Sequence, residues 1–197
     1  MAFRLHVFCF ATLLAGPLAA ALPGWWTAFP KVPVLASRFR QESDSAVFGK
    51  MAREGNLLLA RGGKLKVTYD SGLAVTSDGR HLVQYDPDTR TAQRVELARA
   101  VRDFPLLGIL LDPARIGALY RAESAGGEAV KLVPRAPDIP ALTATGRKGL
   151  LHTLEWTDPT GARQRLELLD AKVPPPPAAS AFKAQVPAGT RWATPNG

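Results

Sequence analysis

The chain is poor in the residues that carry most enzyme chemistry. It has one cysteine, Cys9, and three histidines in 197 residues. Cys9 lies in an N-terminal stretch that reads as a leader, so no disulfide framework or thiol chemistry is expected in the remainder. No helical histidine pair or Cys/His group has metal-ligand spacing, so no metal site is expected. A G-x-S-x-G elbow and a phosphate-cradling loop ahead of a helix are also missing. His81 follows a hairpin turn, and His152 sits on an apolar pattern with Leu150, Leu154 and Trp156. A lone histidine of that kind is more often a hydrogen-bonded structural residue than a catalyst. Ser77 and Asp78 lie near His81, but Asp78-Gly79 already has work as a turn. The chain reads as a binding or carrying protein, not an enzyme.

Other absences narrow the class further. There is no internal repeat, and no run outside the leader approaches the roughly 20 apolar residues that span a bilayer. The net charge is +8, yet the basic residues are scattered and several alternate with apolar ones, as on a solvated sheet face. No basic cluster interleaved with aromatics suggests nucleic acid. The excess charge suits an acidic partner or anionic headgroups.

Residues 1–21 form a separate object. Arg4 gives a positive start, Leu5 to Leu14 is mostly apolar, Gly16-Pro17 breaks the run, and Ala19-Ala20-Ala21 offers small residues for cleavage. The pattern predicts a secretory signal peptide, the alternative being an N-terminal membrane anchor. Cys9 precedes the cleavage region, so it is badly placed for lipidation. A proline and aromatic leader over 22–36 follows, with Trp25, Trp26 and Phe29 expected to pack onto the body. The body spans 37–187, and 188–197 reads as a frayed tail.

The centre of the chain is Gly55 to Val95. Four short extended segments are separated by turns at Arg61-Gly62-Gly63, Asp70-Ser71-Gly72 and Asp78-Gly79. Leu65, Val67 and Tyr69 alternate with Lys64, Lys66 and Thr68, which gives a strand with one apolar face. Leu97 to Tyr120 then changes period. Leu97, Val101, Phe104, Leu107 and Leu111 form a helical stripe, broken by Pro105 and Pro113 into two or three short helices. Leu106 and Leu110 widen the stripe, so 104–111 must be covered or must line something apolar. Strands resume at 120–124, 128–134, 150–156 and 164–170. Pro174–Pro177 is a stiff link, and 182–186 reads as the last strand. The fold class is mainly β (α+β), an antiparallel sheet of about nine to eleven strands with short helices to one side. A sheet of that size curls, and the default pocket lies between sheet and helices.

An ordered set of short motifs resembles the LolA family of periplasmic lipoprotein carriers. It comprises Phe39-Arg40-Gln41, Gly55-x-Leu57, Arg61, Val75-Thr76-Ser77-Asp78-Gly79-Arg80, Tyr85-Asp86-Pro87, Phe104-Pro105-x-x-x-x-Leu110-Leu111 and Phe182-x-x-x-Val186-Pro187-x-Gly189. The resemblance implies a curved, incomplete antiparallel barrel with the helices as a lid over its concave face. It implies a periplasmic monomer that takes acylated lipoproteins from an inner-membrane ATP-driven release complex. Contact with that membrane complex is transient, and the cargo passes to an outer-membrane receptor. On that resemblance the acyl chains lodge against Leu57, Leu59, Leu65, Val67, Tyr69, Val75, Phe104, Leu107, Leu110, Leu111, Leu154 and Trp156, and Arg61 gates the lid. The chain departs from the family pattern at Gly62, where a proline is usual, at Thr91, and in its short first helix. Related half-barrels act as envelope-stress sensors or carry other lipids, which is the alternative reading.

Overall fold

A long hairpin frames the molecule. In the computed structural model, which describes residues 21–103, 105–113 and 116–194, β1 (Val34–Ser45) and β2 (Gly49–Ala60) pair over their whole length. Their side chains alternate as a period of two requires. Leu35 and Phe39 are buried, while Arg38, Arg40 and Glu42 lie on the polar side. The chain meanders on through β3 (Lys64–Tyr69), β4 (Ala74–Asp78), β5 (His81–Asp86) and β6 (Thr91–Glu96). The expected three turns are all present. A fourth closes β5–β6, where Asp86 accepts from the Asp88 N–H and the Thr89 hydroxyl, each at 2.9 Å. The stretch therefore holds five strands where the sequence suggested four.

Three short helices follow: α2 (Leu97–Asp103), α3 (Pro105–Leu111) and α4 (Ile116–Leu119). A second meander then runs through β7 (Tyr120–Ser124), β8 (Ala129–Pro134), β9 (Leu142–Arg147), β10 (Leu150–Thr157) and β11 (Arg163–Leu168). β11 returns to pair with β1, placing Phe39 opposite Leu168. This seam is the junction of the two meanders. Across it the Leu169 N–H donates to the Arg38 carbonyl at 2.9 Å, and the Arg38 N–H donates to the Asp170 carboxylate.

Twelve strands, the last being β12 (Arg191–Ala193), form one curved sheet in the order β12-β6-β5-β4-β3-β2-β1-β11-β10-β9-β8-β7, one more than the upper expectation. β7 and β12 are its edges, so it does not close into a barrel. Two strands stand where none was expected: β9, in the stretch 135–149 that reads as irregular, and β12, which comes from the segment expected to fray and pairs parallel to β6. Conversely, 182–186 is not a strand. Four prolines carry the chain across the sheet, and a 3-10 turn (Ala179–Phe182) sets down against β3 and β4 with Phe182 3% exposed. Thr76, on the polar row with Lys66, is buried although polar; this turn is the cover that face needs.

The leader behaves as the aromatics suggested. α1 (Gly24–Ala28) and a 3-10 turn (Phe29–Lys31) lie on the apolar side, with Trp25 and Phe29 buried. Residues 1–20, which include most of the expected signal peptide, lie outside the described residues. No described helix is long and apolar enough to cross a membrane.

Candidate functional site

Register assigns the site to one face. Leu35, Leu59 and Leu65 stand in one cross-strand row, Leu57 and Val67 with Val75 in the next, and Phe39, Gly55 and Tyr69 in a third. Beyond the seam Leu166, Leu154, Ala144 and Val130 continue the same face. Gly55 is bare because a Cβ there would come within 3.0 Å of the Phe39 ring and closer still to the β3 backbone. That absence lets Phe39 and Tyr69 meet edge to face, 5.2 Å between centroids. The Tyr69 hydroxyl donates to Gln41 at 3.0 Å, and burial pushes its pKa up.

The helices close over this face. Ile109, Leu110 and Leu111 of α3 are 0%, 7% and 3% exposed. They belong to one apolar cluster with Leu57, Leu59, Leu65 and Leu154. Val67, Tyr69, Val75, Leu107 and Trp156 pack against it, half-buried. Every expected lining residue is thus gathered here except Phe104, which lies outside the described residues. α3 lies directly on the sheet, with Leu110 and Leu111 buried in the cluster that the two share. Beside Arg61, between Phe29, Leu35 and Leu59, only about 10 Å³ remains, room for a single water at most.

Sequence reasoning missed Ile109, the most buried lid residue, because the stripe was traced at threes and fours along its neighbours. It also missed what Arg61 holds. The Arg61 guanidinium donates to the Phe29 carbonyl and lies 5.4 Å from the centroid of the Phe29 ring. The leader, not α3, is its hydrogen-bonded partner. Burial lowers the Arg61 pKa, and the Asp112 carboxylate just after α3 counters by favouring the charged form. Arg61 thus sits where sheet, leader and lid converge. Gly62 follows it at φ +80°, an angle that proline cannot reach, which accounts for the missing proline. At the other end of the leader, Trp25 covers Gly146 and donates from Nε1 to the Glu128 carbonyl at 2.9 Å.

The histidines have structural employment. A bulge between Leu151 and Thr153 turns both Leu151 and Leu154 inward. His152 therefore leaves the apolar pattern on which it was expected. Its ring bonds the Leu168 carbonyl at 2.9 Å and stands 3.6 Å from Glu167 on the polar face. His81 meets Arg94 at 2.9 Å. Ser77 donates to the Gly63 carbonyl at 2.7 Å, and Asp78 accepts from the Arg80 and His81 N–H groups. Each of these side chains ties a turn or strand together.

The opposite face is polar. Glu42, Arg165, Glu155, Thr143 and Lys131 form one row across five strands. With Arg40, Asp44, Lys50 and Arg163 they line an open hollow of about 810 Å³. Its acids are paired, Asp44 with Arg163 at 3.0 Å and Glu155 with Arg165.

Comparison with known proteins gives the following. The family described as "Outer membrane lipoprotein carrier protein LolA" matches residues 30–185. An uncharacterized conserved protein from Thermus thermophilus superposes with a TM-score of 0.52 at 12% identity, over 83% of this chain and 91% of that one. The LolA superfamily protein NE2245 from Nitrosomonas europaea gives 0.48 at 12% identity, over 82% and 94%. MucB gives 0.46 at 12% identity, over 82% of this chain and 60% of its own. No curated protein matches in sequence. At these identities the structural likeness concerns the fold alone.

Proposed function

The chain belongs to the LolA family, and from that premise we propose that it is a periplasmic carrier of lipoprotein acyl chains. It receives its cargo from an inner-membrane ATP-driven release complex and yields it to an outer-membrane receptor, as a monomer without a cofactor. The observation that carries this reading is the composition of α3 where it meets the sheet. Ile109, Leu110 and Leu111 share one apolar cluster with the sheet. Such contacts are non-directional, so acyl chains can replace them like for like.

The energetics fit carriage. Burying one CH₂ is worth about 0.8 kcal/mol, so an acyl chain of about fifteen contributes roughly 12 kcal/mol. A lipoprotein with two or three such chains does not cross water unaided. Displacing the lid costs free energy, which lowers the net affinity and keeps release possible. The test is to incubate the chain from Leu22 onward with inner-membrane vesicles that hold lipoproteins and the release complex. A soluble one-to-one complex with a lipoprotein supports carriage. Its absence, while a known carrier works beside it, defeats it.

A second reading is a sensor or partner-binding module of the same fold, or a carrier of another lipid. The charged hollow on the polar face favours the partner-binding form. It requires a protein complex that persists after lipid is removed.

A further inference from the structure

At the end of β2 remote from Arg61, the β1–β2 hairpin runs on past its neighbour. β3 pairs with β2 only over 55–60, whereas β2 begins at Gly49. Every residue from 46 to 53 is exposed. Val47 is 81% exposed, Phe48 77% and Met51 49%. Three large apolar side chains within five residues stand in water, Val47 and Phe48 at the turn itself and Met51 beside the polar hollow.

The charge around them is of one sign. Residues 45–53 include Lys50 and Arg53 and no acid. The flanking carboxylates are already engaged. Asp44 pairs with Arg163 at 3.0 Å, Glu42 with Arg40 at 2.9 Å and Glu54 with Arg38 at 3.1 Å. Among the described residues, neither Lys50 nor Arg53 has an ion-pair partner.

A protein segment needs a face or a groove to lie along. Val47 and Phe48 instead occupy a turn between two strands, open on several sides. Covering them takes a medium that flows around a point, which a bilayer interface does. Basic residues beside an apolar tip add attraction to anionic headgroups. We propose that the β1–β2 tip touches anionic membranes, with Val47, Phe48 and Met51 entering the headgroup–acyl boundary and Lys50 and Arg53 staying at headgroup level.

Under the carriage reading, on which this use rests, the tip has a place in cargo transfer. Met51, Leu57 and Leu59 lie on the same face of β2 by alternation. At about 3.3 Å per residue, Met51 is roughly 20 Å along that face from Leu57. The tip would present the mouth of the apolar face to the bilayer that gives or takes the cargo.

The chain from Leu22 onward holds every described element and lacks Cys9, so one introduced cysteine can be labelled alone. Val47→Cys, bearing an environment-sensitive dye, is mixed with vesicles of phosphatidylethanolamine and phosphatidylglycerol in equal parts. The expected result is a blue-shifted rise in emission that weakens with salt and with phosphatidylcholine vesicles. Arg80→Cys, in the turn at the other end of the sheet, stays dark. In co-sedimentation of the unlabelled chain, Phe48→Ser lowers vesicle partition about tenfold. Lys50→Ala and Arg53→Ala each lower it about fivefold. No rise at position 47, or an equal rise at position 80, overturns the proposal. So does a response to a protein partner but not to vesicles. Binding of a soluble fluorescent fatty acid by the same variants reports on the lid alone. Failure of that binding with vesicle contact intact counts against carriage, and the reverse counts against the tip.

Discussion

Arg61 is bound to Phe29 in two ways, through a hydrogen bond to its carbonyl and through a guanidinium 5.4 Å from its ring centroid. The β2–β3 turn thereby holds the leader across the end of the apolar face. Phe29 is 1% exposed, so the contact fixes a large buried side chain as well as a loop. Arg61→Ala removes a charge-assisted bond worth about 1.5–3 kcal/mol. Urea unfolding should show a loss of that size, and amide exchange over 24–31 should quicken. Arg61→Lys keeps the charge but not the planar fork, and should recover only part.

Gly146 is the floor on which Trp25 rests. A Cβ there would lie 2.2 to 2.4 Å from three atoms of the indole ring. Gly146→Val must therefore push Trp25 off its bond to the Glu128 carbonyl. Overpacking of this kind costs about 1–3 kcal/mol. Tryptophan emission should shift red and the melting temperature should fall.

Tyr120 is 1% exposed, and its hydroxyl has no partner among the described residues. Burial pushes its pKa up from 10.0 to about 12. Between those values the unfolded chain releases the phenolic proton and the folded chain keeps it, so stability falls as the pH rises through that range. Below pH 10 both states are neutral and nothing is lost. Tyr120→Phe should flatten this alkaline limb in thermal melts. At neutral pH it should be neutral or slightly stabilising, because it removes an unsatisfied buried group.

Asp170 works in the opposite direction. The Arg38 N–H, then the Ser37 hydroxyl and the Lys172 charge, hold its pKa below the ordinary 3.8. Its contribution is present above that value, where both states are ionised. It is lost as the pH falls further, because the unfolded chain takes up the proton first. Asp170→Asn should reduce the acid-side slope of melting temperature against pH.

Leu110→Glu places a carboxylate in the apolar cluster. An unpaired buried charge is expensive, and the lid relieves it by lifting into water. Fatty-acid binding should fall at least about tenfold, a change of about 1.4 kcal/mol. Loss of stability alone, with binding unchanged in the folded fraction, would separate the lid from the binding face.

Much of this was legible because it is local. The period of two at Leu65, Val67 and Tyr69 and the turn chemistry of Asp78-Gly79 depend on neighbours in the chain. The proline-broken stripe of α2–α4 does too. Which strand residues share the apolar face followed too, since alternation decides that; a lipid-lining role for them came only from the family resemblance. What escaped depends on distant partners. A bulge at Leu151–Thr153 has no mark in the sequence, and it moved His152 to the polar side. Arg61 and Phe29 are 32 positions apart, and only the packed leader brings them together. β12 is three exposed residues whose sole reason to be a strand is the waiting edge of β6.

The β1–β11 seam has a consequence in time. Arg38 and Asp170 are 132 residues apart, whereas most other strands pair with the next in sequence. The two meanders assemble from nearby pieces, but joining them requires closing a loop of 132 residues, about two thirds of the chain. Until that late step, the outer side of β1 and the free side of β11 both stand unprotected. The topology predicts that this zippering is the slow step of refolding, during which the nascent halves are most open to chaperones and to one another.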